Sequence, residues 1–280
     1  MRSTPQLQGD RGFTLIELLL ATAVVSLVMA AAGGLFAVNR RFIQTQIQRT
    51  ETVQALRTTL DMMARDLRLG GACLPTIGDF SPLDGTNSGT TDTITSRTGL
   101  VQPNKVCIYG TLTANAALGA TSLTLNTVSG FQTGMGVYIQ GANTGETVKI
   151  SSISGTTIGI SPGTTQAYTA NAASVYAIDQ RKYAIDTSNA SLPVLTVAQN
   201  GGTPVPFASG IEALNIQYRL NRNCPNCDTV DLPSGSDWSL VTEIVLNITA
   251  RSRTTESNGQ YYRRSAQIIA KPRNLLPSGG

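Results

Sequence analysis

The 280 residues contain no histidine. That removes at once the commonest general base, the commonest nitrogen ligand for metals and every Ser-His-Asp arrangement. Charge is scarce as well: Asp, Glu, Lys and Arg make up 14% of the chain, against roughly a quarter in ordinary soluble domains. Aromatic side chains are few, at 5%. The 21 basic and 17 acidic groups leave a formal charge of +4. The arginines are scattered and not interleaved with aromatics in one patch, so no nucleic-acid surface is expected. No G-K-[ST] follows Gly33-Gly34 or Gly201-Gly202, and neither is a phosphate loop. This inventory points to no catalytic residue, no cofactor and no metal site, and the chain is not expected to be an enzyme. What it has in plenty, after residue 70, is Gly, Ser, Thr and Asn. That is the composition of an extracytoplasmic β protein with many turns, long enough for one large domain or two smaller ones.

There is one long apolar run. Residues 1–12, MRSTPQLQGDRG, are polar, and from Phe13 to Val38 the chain reads FTLIELLLATAVVSLVMAAAGGLFAV. A membrane-crossing helix needs about 20 predominantly apolar residues. A secretory signal peptide would have a shorter core and an A-x-A-like cleavage site after it; here the run leads into an amphipathic pattern instead. Glu17 lies inside the run. A carboxylate in a membrane segment is costly and by default marks a function with a partner. Arg2 and Arg11 precede the run and Arg40 and Arg41 come after it, so the charge count alone does not orient it.

From Phe42 to Leu69 apolar residues recur at Ile43, Ile47, Val53, Leu56, Leu60, Met63 and Leu67, steps that form a helical stripe. Arg57, Asp61 and Arg65, four apart, mark its solvated face. Gly70-Gly71 ends the pattern. The run and the stripe together predict one helix of about 57 residues, roughly 85 Å long, whose second half needs a sheet to cover it. Beyond residue 90 the period becomes alternating. Strands are expected at Asp92–Thr95, Lys105–Tyr109, Ser122–Val128, Gly136–Gln140, Glu146–Ile153, Thr157–Ser161, Ser174–Ile178, Lys182–Ile185, Val194–Ala198, Ile211–Leu220, Val241–Arg251 and Tyr261–Ala270. The Thr/Ser/Gly/Ala-rich stretch 111–179 reads as a small all-β module inserted between two halves of a larger sheet. The alternative is a decorated region of that same sheet.

The residues Arg11-Gly12-Phe13-Thr14-Leu15-Ile16-Glu17-Leu18 resemble the class III signal of type IV prepilins and type II secretion pseudopilins: a basic residue, Gly, Phe, then Glu at the fifth place of the mature chain. The resemblance implies that a prepilin peptidase cuts between Gly12 and Phe13 and N-methylates Phe13. It implies that Glu17 then pairs with the N-terminal amine of a neighbouring subunit. It also implies an α+β type IV pilin fold, a long N-terminal helix packed on an antiparallel β-sheet head. The sections would be a leader (1–12), a transmembrane or filament helix (13–38), an amphipathic helix with the first part of the head (39–110), the inserted module (111–179) and the remaining head sheet (180–280).

Leu60–Cys73 resembles the A-R-D-L-R-x-x-G segment of PilW-type minor pilins. Asp92-Thr93-Ile94-Thr95 resembles their first sheet strand, Gly210–Tyr218 their G-V-E-x-L-x-V-x-Y strand, and Trp238–Ser252 the strand after it. The module loosely resembles small β modules of phage tails and bacterial surface proteins. The expected function is that of a minor pilin in pilus assembly. Alternatives are the J-type type II secretion pseudopilin, which shares the plan, and an adhesin whose module binds a ligand while the pilin part displays it. The expected partners are the peptidase, other pilins through the N-terminal helix, and the inner membrane before assembly. The head would be in the periplasm and later outside the cell on the pilus.

Cys73, Cys107, Cys224 and Cys227 allow three disulfide pairings in an exported chain. A zinc site would want a second C-x-x-C or histidines, and a redox role would want Cys224-Pro225-Asn226-Cys227 opening a helix. Two structural disulfides are expected, Cys73 with Cys107 and Cys224 with Cys227.

Overall fold

The computed structural model describes residues 14–75, 81–104, 106–142, 145–222, 227–256 and 258–272, with Ser236 through its backbone alone. The chain divides into two compact units, Met1–Thr50 and Glu51–Gly280.

The helix α1 spans Leu15–Leu69. In the first unit its large apolar side chains are exposed, Leu15 at 78% and Phe36 at 75%. From Glu51 onward a face is covered: Thr52, Leu56, Thr59, Leu60, Met63, Ala64 and Leu67 are buried, at the steps of three and four that place residues on one side of a helix. Arg57, Asp61 and Arg65 are exposed, as their spacing predicts. The helix stops where Gly71 takes a φ of +82°, a left-handed conformation that glycine adopts without steric cost.

The strands are β1 (Leu83–Thr86), β2 (Thr93–Gly99), β3 (Tyr109–Thr111), β4 (Ser122–Thr124), β5 (Gly136–Gln140), β6 (Gly145–Ser154), β7 (Thr157–Ser161), β8 (Ser174–Asp186), β9 (Val194–Gln199), β10 (Val205–Ser209), β11 (Ile211–Leu220), β12 (Thr229–Val230), β13 (Val241–Thr255) and β14 (Tyr261–Ala270). A short 3-10 helix, Gly235–Leu240, precedes β13. Among the described residues they form two antiparallel sheets. The larger runs β1-β2-β8-β5-β6-β7-β4, with β3 and β9 also on β8 and β10 on β9; the smaller runs β12-β11-β13-β14. The fold is thus α+β: one long N-terminal helix and antiparallel sheets.

Strand β8 is the spine of the larger sheet. Its first half pairs with β3 through Ser174–Tyr176 and with β5 through Ser174–Ile178. Its second half pairs with β2 through Ile178–Tyr183 and with β9 through Arg181–Asp186. The sequence predicts two strands here because Asp179-Gln180-Arg181 looks like a polar break. Each of these side chains is hydrogen-bonded to another side chain: Gln180 accepts from Arg97, Asp179 accepts from Arg181, and Arg181 donates to Asp66. The strand therefore continues through them. β1 and β10 are not predicted, since LDGT and VPFAS carry glycine or proline and lack alternation.

Among the described residues two large hydrophobic clusters fill the second unit, and a third, small one joins Leu74, Tyr138 and Ile178. The first joins the covered face of α1 (Leu56, Leu60, Met63, Leu67) to Leu83, Ile94, Tyr183, Leu214, Tyr218, Ile244, Leu246 and their neighbours on both sheets. The second lies within residues 108–177, centred on Leu112, Val137, Ile139, Ile158 and Val175. The expected boundary at residue 179 falls inside β8, which contributes Val175 and Ala177 to the second cluster and Tyr183 to the first.

Candidate functional site

The head of α1 is closed by a pair of side chains. Thr14 N–H and its hydroxyl both donate to Glu17 Oε2 at 2.9 Å, and Glu17 N–H donates back to Thr14 Oγ1 at 3.3 Å. This is a capping box: a Thr before the helix and a Glu three residues on satisfy orphan backbone donors reciprocally. The signature T-x-x-E ahead of an apolar run is present in Thr14–Glu17 and could have been found from sequence; the membrane position of Glu17 overshadows it. Both Thr14 bonds fall on one carboxylate oxygen, Oε2. Below the cap, Leu15, Ile16, Leu18, Leu19 and Leu20 are each more than half exposed. The helix is long and apolar enough to cross a membrane. A contiguous apolar surface of this kind is not left bare in water; it calls for lipid or for other apolar helices. The expected cut between Gly12 and Phe13, and the methylation of Phe13, lie outside the described residues.

In the second unit, Cys73 and Cys107 are disulfide-bonded, as expected. Cys227 is disulfide-bonded too, and Cys224 lies outside the described residues. The chain after α1 crosses the end of β2 closely. Gly71 N–H donates to Arg97 O and Gly99 N–H to Ala72 O, at 2.9 and 2.7 Å. Cys73 sits at a φ of 57°. A Cβ on Gly99 would lie 2.6 Å from Cys73 O and 2.7 Å from Cys73 Cβ, so glycine is required where the cysteine passes.

Two carboxylates that the sequence did not single out hold the head together. Asp66, in the A-R-D-L-R segment, accepts from Arg181 Nη1 at 2.9 Å and from the Tyr183 hydroxyl, both on β8. Burial, helped by this bond to Asp66, pushes the Tyr183 phenol above its ordinary range. Asp92 is 1% exposed. Its Oδ1 accepts from the N–H groups of Ser88 (2.8 Å) and Gly89 (3.1 Å), and its Oδ2 from Ile216 N–H at 2.8 Å. Thr91 forms a parallel bridge with Leu214, so Asp92 fastens the larger sheet to the smaller one. Neither residue could be assigned from sequence, because the partners on β8 and β11 lie more than a hundred residues away.

The prokaryotic N-terminal methylation motif matches residues 7–33. The chain is 33% identical over 93 residues to the pilin-like protein PilA3 of Thermus thermophilus; the match covers 30% of this chain and 40% of that protein. The chain thus spans less than half of that relative's length. Among solved structures it is similar to the Gp54 tailspike of Acinetobacter baumannii bacteriophage AP22 in complex with A. baumannii capsular saccharide. There the identity is 17%, the coverage 30% of this chain and 15% of that one, and the TM-score 0.24; at that score the likeness carries nothing about fold or function.

Proposed function

We propose, on the methylation motif and the likeness to a pilin-like protein, that the chain is a type IV pilin-like prepilin and serves as a minor pilin, a structural subunit that helps to build or prime a pilus through its N-terminal helix. Prepilin peptidase cuts between Gly12 and Phe13 and methylates the new amine at Phe13. Before assembly the helix anchors the protein in the inner membrane with its head in the periplasm; afterwards it packs among the helices of other pilins. The observation that carries this reading is the bare apolar surface of α1 headed by Glu17. Two phases accept such a surface, lipid and a bundle of like helices, and a prepilin passes from the first to the second. One oxygen of Glu17 serves its own helix cap, and the carboxylate's charge meets the incoming amine. Among apolar helices an unpaired charge is costly, so the pair sets the axial register of the subunit.

The test is fractionation. Tagged protein is expected in sheared pili, with a mature N-terminus at Phe13 carrying a methyl group by mass spectrometry. An intact Met1 start, or recovery with secretion components and never with pili, overturns the minor-pilin reading; the second result points to the pseudopilin.

A further inference from the structure

We propose that the cleft between strands β5–β7 and the β8–β9 pair is a binding site for a small oxyanion, a carboxylate or phosphate carried by a compact ligand. The cleft has a volume of about 340 Å³, at the small end of ligand pockets. Its floor includes the buried side chain of Ile178, and Thr147, Lys149, Ser161, Gln180 and Asn200 line it.

The argument rests on which ends of the two amides are already used. Asn200 Oδ1 accepts from the backbone N–H of Gln180 at 2.8 Å. Gln180 Oε1 accepts from Arg97 Nε at 2.8 Å. A backbone N–H and a guanidinium can only donate, so both amide orientations are fixed by chemistry. What each amide has left is its NH₂ group, and no partner of either NH₂ is found among the described residues. Asn200 is held rigidly: its N–H donates to Gln180 O at 2.8 Å, and its φ is 49°. Gly136 makes room for it, since a Cβ there would come within 3.0 Å of Asn200 Oδ1.

To these donors the cleft adds the Lys149 ammonium and the hydroxyls of Thr147 and Ser161, and among the described residues no acidic side chain lines it. The nearest carboxylates in sequence are engaged elsewhere. Glu146 accepts from Thr165 and from the Tyr168 hydroxyl, and Asp179 accepts from Arg181 and Gln199. A cleft with one cation, two oriented amide donors and two hydroxyls is complementary to an oxyanion. This inference does not rest on the pilin reading; it concerns what the head holds.

The experiment is calorimetric titration of the full chain in detergent with D-glucuronate, inorganic phosphate and, as the neutral control, D-glucose. Saturable binding of at least one anion is expected, tighter than glucose and weakened by added salt. Preference for glucuronate identifies a carboxylate ligand, and preference for phosphate a phosphorylated one. Asn200→Asp and Gln180→Glu keep the oxygens that accept from Gln180 N–H and Arg97 but replace the donors with anionic oxygens. Each should weaken anion binding about tenfold or more with the thermal transition unmoved. Lys149→Gln, at an exposed position, should weaken it similarly. Anions that bind no better than glucose, or isosteric variants that bind them as the wild type does, overturn the site.

Discussion

At the scale of single residues, the most informative side chain is Glu17, because two roles meet on it. The capping box needs an acceptor at this position, and glutamine can supply one; an ion pair with an incoming amine needs the charge. Glu17→Gln should therefore keep the helix and its cap but lose incorporation into pili, and Glu17→Ala should lose both. Thr14→Ala, which removes the hydroxyl half of the cap, should still enter pili. Fractions of sheared pili against membranes, at equal expression, decide; pili containing Glu17→Gln at wild-type level would show that the charge is not the register contact. Asp92 offers a second test. Its carboxylate receives three backbone N–H groups at a site 1% exposed. Asp92→Ala leaves those donors unsatisfied, and a loss of about 3 kcal/mol or more is expected, read as a drop in the denaturant midpoint. The phenols of Tyr168, Tyr183 and Tyr218 are all pushed up from their ordinary values, chiefly by burial. The fold therefore favours their neutral forms. Their contribution is complete below the unfolded phenol value near pH ~10 and is lost as pH rises beyond it. Thermal stability should hold up to that point and fall above it, with the phenolate absorbance of these three side chains appearing together with unfolding. Phenolate signal from all eight tyrosines while the protein stays folded would contradict this.

At the scale of elements, the joint between the helix end and strand β2 is the tightest place in the head. Gly99→Ala would force a Cβ against the backbone of Cys73, and neither backbone can give without breaking the bonds between residues 71–72 and 97–99. The expected result is a loss of a few kcal/mol and slower oxidation of Cys73 with Cys107, followed by thiol labelling during refolding. The disulfide closes a loop of 34 residues. The double variant Cys73→Ser/Cys107→Ser should lose about 3 to 4 kcal/mol on the chain-entropy estimate. The elements most legible in the sequence are those with one strong period, α1, β11 and β13. The strand that matters most to the architecture is not among them. β8 reads as two strands because three polar residues interrupt it, and their partners (Asp66, Arg97, Asn200) come from elsewhere in the chain.

At the scale of the whole molecule, the question is whether residues 111–179 are a passenger. No member of the first hydrophobic cluster lies between Ile94 and Tyr183, and Thr111 stands opposite Ser174 in the register of β3 and β8. Replacing residues 112–173 by a two-residue Asn-Gly turn should therefore close a hairpin without disturbing the packing of α1 on the head. The shortened chain is expected to fold, to be processed and to enter pili, while the full chain alone keeps the second cluster and the packing of Tyr138 with Leu74 and Ile178. Aggregation or loss from pili would show that the module supports the head and is more than an attachment to it.

The sequence by itself determined the N-terminal methylation motif, the apolar helix and its covered stripe, the helix stop and the alternating strands beyond residue 90; of the three cysteine pairings it allowed, the structure shows Cys73 with Cys107. Most of these are local or periodic: each depends on residues within a few turns or on a repeat of 3.6 or 2, and one chain carries them in full. Only the tertiary structure decided that one strand carries both halves of the larger sheet. It also decided that Asp66 and Asp92 act as fasteners and that Gln180 and Asn200 line one cleft. Those depend on pairs such as Asp66–Arg181, Asp92–Ile216 and Gln180–Asn200, which sequence spacing leaves unrelated and which only the folded backbone brings within hydrogen-bond reach.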